Sequence, residues 1–353
     1  MPSGIAMANK APAFWWKKPG LASRLLTPAA MAYGYFAQRN IENRIPSVVD
    51  LPVLCIGNFT LGGTGKTPVA IAFAQVARKC GYEPGIVSRG FGGTVHGVHM
   101  VDVTRDCARI VGDEPLLLAE HARVVVASDR YAAARMLKDT GCNIILMDDG
   151  FQSRRLYADY TLLVVDAIRG FGNRKIFPSG PLRAPLATQI TYTDSILIIG
   201  DGVGVGQDCH VAHTKKPVYH AKLVPLANAQ VAGRQFLAFA GIGHPQKFFE
   251  SVKALGGIIK KEYVFADHYF FSESDIKNIA ASAKAHKLTI ATTAKDYVRL
   301  KTTRLSKKLE EIIVFDVHVT FEVEDCCVNL LTEMLARYRA RPNLLSRSLI
   351  KNR

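Results

Sequence analysis

The sequence lacks the features that mark secreted, disulfide-bonded and membrane-spanning proteins. It has no uninterrupted run of about 18 apolar residues, so it predicts no transmembrane helix. Its first residues do not follow the charged-then-apolar order of a secretory signal. Its seven cysteines are an odd number with no C-x-x-C spacing, which predicts reduced thiols and neither a disulfide framework nor a zinc site. The lack of these three features favours a protein that remains in the cytosol or on the cytosolic side of a membrane.

Acidic residues are scarce relative to basic ones. The 353 residues include 30 Asp and Glu against 45 Lys and Arg, a net charge of +15. Such an excess favours a polyanionic partner: a nucleic acid, a nucleotide or an anionic membrane surface. No basic module interleaved with aromatic residues is present, so we expect no nucleic-acid partner. With 48% hydrophobic and 21% charged residues, the chain can build a packed core, and its length suggests two domains.

The N-terminal segment, residues 1–44, differs in composition from the rest. Residues 13–44 are rich in aromatic and small apolar side chains with interspersed Lys and Arg. Thr27 and Pro28 are typical of an N-cap and first helical residue, and they predict a helix that ends near Arg44. Trp15 and Trp16, beside two lysines, suit a bilayer interface. Two interpretations stay open: an amphipathic segment on a membrane, or a helix packed on the protein's own core.

From residue 51 onward, short apolar runs alternate with helix-length segments. The predicted strands are PVLCIG, GIVS, RVVVA, NIILMD, TLLVVD and SILIIG, an order typical of βαβ units and a parallel sheet. After about residue 232 the alternation restarts, which predicts a core domain over 45–232 and a smaller α/β domain over 233–353. The segment PVYHAKLVPLANAQVAGRQ is interpreted as the connection between them, and the basic residues from Arg337 onward as a solvated tail.

The stretch TLGGTGKTP follows the first predicted strand and resembles a phosphate-binding loop. Its end fits the pattern G-x-x-x-x-G-K-[ST], although Thr60 replaces the first glycine. Glycines allow backbone N–H groups to converge on phosphate oxygens, and the next helix adds its dipole. We expect Lys66 to reach the β- and γ-phosphates and Thr67 to ligate Mg²⁺. The residues expected to hold ATP here are Gly62, Gly63, Thr64, Gly65, Lys66 and Thr67.

A protein with such a loop could hydrolyse the nucleotide instead of transferring its phosphate, and two classes of NTPase are the alternatives. Partitioning ATPases with a related G-G-x-G-K-T order carry a lysine before the double glycine, whereas this chain has Leu61. That difference argues against a nucleotide-driven switch or metallochaperone. A nucleic-acid-dependent NTPase is the other alternative, and it lacks the basic aromatic module noted above.

Acidic residues follow a second predicted strand. Asp148 and Asp149 end the run NIILMD, the usual position of acids that face the phosphates in an open α/β sheet. A polar turn closing the strand is the alternative. Asp113 and Glu114 precede a proline and an apolar helix, so capping and function are equally compatible there. His268 follows an aspartate in the second domain, and as an isolated pair it predicts only a loop.

Taken in order, these motifs resemble the tetraacyldisaccharide 4'-kinase family, the inner-membrane lipid A kinases of Gram-negative bacteria. The matching stretches cover about residues 14–299 and are GNFTLGGTGKTP, SRGFGG, VGDEP, ASDR, DDGFQ, FPSGPLRAP, AFAGIGHPQKFF, FADHY and TTAKD. The resemblance implies a P-loop core domain with a parallel sheet, a smaller α/β domain and a cleft between them. It implies transfer of the γ-phosphate of ATP to the 4'-hydroxyl of a tetraacylated glucosamine disaccharide 1-phosphate, with Mg²⁺.

The resemblance also gives roles to single residues. Asp113 matches the proposed catalytic base and His268 its partner from the other domain, with Lys66 as the catalytic lysine of the loop. The metal set implied is Thr67, Glu114, Asp148 and Asp149, and the further nucleotide-site residues are Gln152 and Arg183. Because the acceptor carries four acyl chains, we expect a peripheral enzyme on the cytoplasmic face of the inner membrane. The chain departs from the family at Ala184, where an acid is common, and at Phe91, where the aromatic often has a hydroxyl.

Overall fold

A computed structural model describes residues 11–201, 214–301, 303, 309 and 311–341. Within these residues one twelve-stranded sheet runs through the molecule, in the order β10-β9-β11-β12-β8-β7-β6-β1-β5-β2-β4-β3. The strands are β1 Val53–Asn58, β2 Pro84–Ser88, β3 Val98–Met100, β4 Arg123–Ala127, β5 Ile144–Asp148, β6 Tyr160–Asp166, β7 Ser195–Ile199, β8 Val218–Ala227, β9 Gln235–Ala240, β10 Ile258–Val264, β11 Thr289–Thr293 and β12 Ile312–Phe321.

Helices cover both faces of this sheet. They are α1 Leu21–Leu25, α2 Thr27–Asn43, α3 Lys66–Lys79, α4 Ala108–Val111, α5 Asp113–Ala119, α6 Arg130–Asp139, α7 Leu186–Thr191, α8 Pro245–Ala254, α9 Glu273–His286, α10 Ala294–Lys301 and α11 Cys326–Ala340. Short 3₁₀ turns lie at Ala13–Trp16 and Phe151–Ser153. We call β1–β7 with their helices the first half, and β8–β12 with α8–α10 the second half.

The first half is a mostly parallel sheet buried on both sides. β1 pairs in parallel with β5 and β6, β2 with β4 and β5, and β6 with β7, while the short β3 is antiparallel to β4. Apolar side chains alternate between two clusters, one on each face, as expected for strands covered by helices on both sides. All six predicted strands are present, and the α/β fold with a large, mostly parallel sheet is confirmed.

The segment after β7 that was predicted to be a connection between two domains is mostly a strand. Residues 218–227 form β8, which pairs in parallel with β7 and antiparallel with β12. This strand therefore joins the two halves into one sheet. Its side chains alternate only weakly between buried and exposed, and Pro225 interrupts the pattern, so the sequence did not resemble a buried strand.

The chain returns to the first half at its C-terminal helix. Helix α11 buries its two cysteines, Cys326 and Cys327, in the same cluster as residues of α3 and β1. Arg337, the expected start of a solvated tail, lies within α11 and pairs with Asp194 and Glu333 at 2.5 and 2.6 Å. That start is wrong, and residues 342–353 of the expected tail lie outside the described residues. The boundaries at 44 and 232 stay predictions.

The N-terminal segment packs on the protein along one face and exposes the other. Trp15 is only 6% exposed, with its ring against Phe177 and its indole Nε1 donating to the Pro178 carbonyl at 3.0 Å. Its expected place at a bilayer interface is therefore wrong. Thr27 is the first residue of α2 and donates to the Ser23 carbonyl, so it is not the N-cap.

An exposed apolar face remains on α1 and α2. Its large side chains, all more than half exposed, are Leu21, Leu25, Met31, Tyr35 and Phe36. Arg24 and Arg39 accompany them. None of the helices within the described residues is long and apolar enough to cross a bilayer.

The two faces should respond differently to substitution. Trp15→Ala removes a large buried ring and a hydrogen bond, and we expect a loss of about 3–5 kcal/mol in the free energy of unfolding. Phe36→Ala, at a side chain 68% exposed, should change it by less than about 0.5 kcal/mol. Denaturant unfolding in detergent-free buffer measures both. Equal losses would contradict the assignment of inner and outer faces.

Candidate active site

The phosphate-binding loop connects β1 to α3 at the carboxyl end of the sheet. Gly62 and Gly65 have φ of +108° and +85°, backbone conformations that glycine adopts without strain. A Cβ on Gly65 would also come within 3.0 Å of Ile199. Around Gly63 no atom would lie within 4 Å of a Cβ, so the loop is open on that side. The loop thus turns the start of α3, with Lys66 and Thr67, toward an open space.

Side chains beneath the loop hold its backbone. Asn58 Nδ2 donates to the carbonyls of Thr60 and Gly62 at 2.7 and 3.3 Å. Gln152 Nε2 donates to the Asn58 carbonyl at 2.8 Å, and Arg183 Nε to the Thr60 carbonyl at 3.1 Å. The two expected nucleotide-site residues Gln152 and Arg183 therefore support the loop directly. The Thr64 hydroxyl is buried without a partner, which leaves it available to a ligand.

Asp149 joins the loop to the end of β5. Its Oδ1 lies 3.5 Å from Lys66 Nζ and 2.8 Å from Arg183 Nη1. Burial raises the pKa of this carboxyl, but the charges of Lys66 and Arg183 outweigh burial and lower the pKa to about 2. Asp149 is therefore ionised, and its two cations are held on the phosphate side of the sheet.

Asp148 has the opposite electrostatic environment. It is buried, and its Oδ1 has no hydrogen-bond partner. Burial and the negative charge of Glu114 raise the pKa of Asp148 to about 7. A buried carboxyl close to other acids and short of partners is typical of a position that a cation completes.

Asp113 begins helix α5 but does not cap it. Gly112, with φ of +91°, is the N-cap residue, and Asp113 Oδ1 accepts a hydrogen bond from the Glu114 N–H at 3.1 Å. The capping alternative therefore does not explain why Asp113 is only 4% exposed. Its other oxygen, Oδ2, points toward the second half of the molecule.

The structure brings Asp113 and His268 together, although 155 positions separate them. His268 Nδ1 lies 3.1 Å from Asp113 Oδ2, and Arg299 donates to the same oxygen. Burial raises the pKa of Asp113, but the hydrogen bond from His268 and the charge of Arg299 outweigh it and hold the pKa well below its usual range. The hydrogen bond to Asp113 raises the pKa of His268. Phe91 packs edge-on against the imidazole, with ring centroids 5.8 Å apart.

Two cations on helix α10 were not among the site residues expected from the sequence. Lys295 Nζ pairs with Glu114 Oε1 at 2.8 Å, and the charge of Lys295 lowers the pKa of Glu114. Arg299 lies one helical turn further along and contacts Asp113. Both cations therefore cross from the second half to consecutive acids at the start of α5. The motif TTAKD at the end of β11 was the available signal, since it places Lys295 at a carboxyl edge of the sheet.

The three acids among the four expected metal ligands have different partners. Glu114 and Asp149 form ion pairs, whereas Asp148 keeps a free buried oxygen. Among the described residues, no three His, Cys, Asp or Glu side chains gather closely enough to hold a metal ion by themselves. The expected ligand set of Thr67, Glu114, Asp148 and Asp149 stays a prediction.

Comparison with known proteins identifies the family. The family model described as Tetraacyldisaccharide-1-P 4'-kinase matches residues 22–336. This chain belongs to that family. It is 54% identical over 341 residues to the tetraacyldisaccharide 4'-kinase of Bartonella quintana, covering 96% of this chain and 99% of the relative. It is 50% identical over 338 residues to that of Brucella ovis, covering 95% and 99%.

Membership establishes the class of reaction. The chain is a kinase, and the activity of its family is phosphorylation of a lipid A precursor at the 4' position. The resemblance found in the motifs is confirmed. The crystal structure of LpxK from Aquifex aeolicus in complex with ATP covers 89% of this chain and 99% of its own, with a TM-score of 0.70 at 23% identity. That likeness extends the shared fold to both halves of the sheet.

The raised pKa of Asp148 predicts a pH-dependent cost to stability in the kinase without metal or nucleotide. Its folded pKa of about 7 exceeds the ordinary 3.8, so the folded state retains a proton that the unfolded chain releases. The free energy of unfolding therefore falls as pH rises from about 4 to 7 and then levels off. Asp148→Asn should stabilise the protein by about 2 kcal/mol more at pH 8 than at pH 5.5.

Denaturant unfolding in chelator at the two pH values measures this difference. Asp139→Asn, at an exposed aspartate, is the control and should show no comparable change between them. A gain from Asp148→Asn that is equal at both pH values would contradict the raised pKa.

Proposed function

We propose that this kinase transfers the γ-phosphate of ATP to the 4'-hydroxyl of a tetraacylated glucosamine disaccharide 1-phosphate, using Mg²⁺, at the cytoplasmic face of the bacterial inner membrane. The observation that carries the proposal is the contact between Asp113 and His268, next to Glu114, whose pKa the charges of Lys295 and Lys66 help to lower. A hydrolytic switch needs no such pair from the second half, whereas an acceptor hydroxyl needs a group that takes its proton.

The donor phosphates would bind the loop from Gly62 to Thr67. The open side of the loop and the N-terminus of the 14-residue helix α3 favour anionic oxygens there. Lys66 would then exchange its contact with Asp149 for the β- and γ-phosphates. Such a loop lysine neutralises the charge that builds on the transferring phosphoryl group.

Mg²⁺ fits the donor set at Asp148 and Thr67. The unpartnered Oδ1 of Asp148 is a hard oxygen ligand, and a bound cation would offset the burial and the Glu114 charge that raise the pKa of Asp148. Glu114 and Asp149 would lie around the ion or bind it directly. Each already forms an ion pair with a Lys or Arg side chain. When bound, the ion would neutralise charge on the β- and γ-phosphate oxygens.

The Asp113–His268 pair would accept the proton. As the 4'-oxygen forms its bond to γ-phosphorus, the bond from phosphorus to ADP breaks and the hydroxyl proton passes to the pair. Asp113 is our proposed base because it is ionised, and since its low pKa makes it a weak proton acceptor by itself, the proton is shared with His268. His268 holds that carboxylate in place, and because its own pKa is raised it can share the proton.

The exposed face of α1 and α2 suits the membrane surface. Five large apolar side chains and two arginines lie on it, the composition of a helix that rests in the headgroup region. An acceptor with four acyl chains does not leave the bilayer readily, so the enzyme must meet it there. Peripheral attachment by this face is consistent with the lack of a spanning helix among the described residues.

The proton-accepting pair predicts losses that do not multiply. Asp113→Ala should lower kcat by about 10²–10⁴-fold, as expected when general-base assistance is removed. His268→Ala should cost less, and the double variant should be scarcely worse than Asp113→Ala. ATP affinity should stay close to that of wild type in all three. Transfer of label from ATP to the acceptor in detergent measures kcat at saturating substrates. Multiplicative losses would mean two independent roles and would remove the pair from the mechanism.

The membrane proposal predicts which substitutions release the enzyme. Replacing Leu21, Leu25, Met31 and Phe36 with serine should abolish co-flotation with vesicles of anionic phospholipid, because it removes the exposed apolar face. The control replaces four exposed apolar residues elsewhere, namely Leu226, Ile258, Val264 and Val323, and should float like wild type. Thermal melts check that both variants fold. Unchanged flotation of the first variant would show that another surface binds the bilayer.

A further inference from the structure

Arg299 is a buried cation that the proposed mechanism does not use. Arg299 lies on α10 and is only 5% exposed, and its guanidinium donates hydrogen bonds to three groups. Nη2 donates to Asp113 Oδ2, while Nη1 donates to Asp296 Oδ1 at 2.7 Å and to the Gly241 carbonyl at 2.8 Å. All of these groups are shielded from water. A charge so placed has a large desolvation cost, which its partners must offset.

The Gly241 carbonyl connects the same guanidinium to His268. This oxygen also accepts the His268 backbone N–H at 3.1 Å. His268 has φ of +58°, a conformation that is uncommon for a residue other than glycine, so its backbone needs such a fixed partner. Arg299 therefore contacts the carboxylate of one member of the pair and the backbone acceptor that holds the other.

Asp296 completes the arrangement from the opposite side. Its carboxylate accepts the Gly241 N–H at 3.0 and 3.1 Å, and the Thr293 hydroxyl donates to it at 2.7 Å. Both polar groups of Gly241 are thus bound by side chains of the β11–α10 segment. A Cβ at Gly241 would lie 3.1 Å from Asp296 Oδ1, so a larger residue at this position would crowd the carboxylate. Hydrogen bonds from this segment therefore hold the Gly241 backbone in place.

We infer that Arg299 is a positioning residue that sets the geometry of Asp113 and His268 at once. This inference rests on the proposed function of the pair. The guanidinium is planar, and its donors keep fixed angles, so it can hold Asp113 and the Gly241 carbonyl in one relative arrangement. A lysine at position 299 keeps the charge but cannot donate along these directions.

The alternative is that Arg299 only ties the two halves together. Helix α10 offers a matched control for that role. Lys301, two residues further along, pairs with Glu120 of the first half at 2.8 Å, and both are partly exposed. This pair also crosses between the halves but touches neither Asp113 nor the Gly241 loop.

The experiment compares Arg299→Lys, Lys301→Ala and Asp113→Ala in the full-length kinase, with label transfer from ATP to the acceptor in detergent. We expect Arg299→Lys to lower kcat by about 10–100-fold, the range found when groups that orient functional side chains are removed. KM for ATP and for the acceptor should stay within about twofold of wild type, since the residue acts on the pair. Lys301→Ala should match wild type within about twofold.

A second comparison separates positioning from stability. In the Asp113→Ala background, Arg299→Lys should cause no further loss, because it acts through Asp113. Where Arg299→Lys does not fold, the double variant Arg299→Gln with Asp296→Asn removes one positive and one negative charge together. It should show the same loss in kcat with unchanged KM.

Two results would overturn the inference. One is near-normal kcat per folded Arg299→Lys enzyme, or per folded Arg299→Gln, Asp296→Asn enzyme where that variant replaces it. The other is an effect of Arg299→Lys that multiplies with that of Asp113→Ala. Failure of the proposed function is distinguished because Asp113→Ala alone would then retain near-normal turnover.

Discussion

The contact between α5 and α10 determines the chemistry of the site. Neither half contains the whole of the proposed proton-accepting site: the first half supplies Asp113, and the second supplies His268 and Arg299. The sheet makes this contact reproducible, because β8 pairs with both β7 and β12 and so continues one half into the other. The proposed proton-accepting site therefore depends on the pairing of β8 with both of its neighbouring strands.

The charges of the site are balanced almost pair by pair. Asp149 faces Lys66 and Arg183, Glu114 faces Lys295, and Asp113 faces Arg299. These side chains are wholly or partly buried, where an unbalanced charge is costly. Asp148 is the exception, and its raised pKa records the imbalance. A nucleotide with Mg²⁺ would bring four phosphate charges and two metal charges, so its arrival would exchange partners among groups that are already in place.

Much of the fold and the loop could be predicted from the sequence, because both are local. Six of the seven strands of the first half are continuous apolar runs, and the glycine-rich turn lies between one of them and a helix. Asp148 and Asp149 could be found because strand ends are visible in the sequence. The Asp113–His268 contact could not be found in this way, since the two residues are 155 positions apart and no local pattern specifies a tertiary contact. Only the family resemblance linked them.

Arg299 shows the same limit more sharply. It lies on a short helix that also carries Lys295 and Lys301, and sequence alone gives no reason to separate it from a solvated arginine. Arg299 differs from a solvated arginine because it is buried and contacts Asp113 of α5. β8 was missed for a related reason: its side chains are half exposed, so its hydrogen bonds and not its apolar pattern define it as a strand.

The N-terminal helix connects the proposed membrane surface to the nucleotide site. The exposed face of α2 carries Met31 and Phe36, while Asn40 on its inner side donates to the Gln152 carbonyl at 2.7 Å. Gln152 in turn donates to the Asn58 carbonyl below the phosphate-binding loop. Because Asn58 in turn donates to carbonyls of the loop, these three consecutive contacts fix how the loop is oriented relative to the apolar face. If that face rests on the bilayer, the loop and the proton-accepting pair are held at a set height above the lipid headgroups. An acceptor whose acyl chains stay in the membrane then presents its sugar to a site that is already oriented, and no large reorientation of the enzyme is needed.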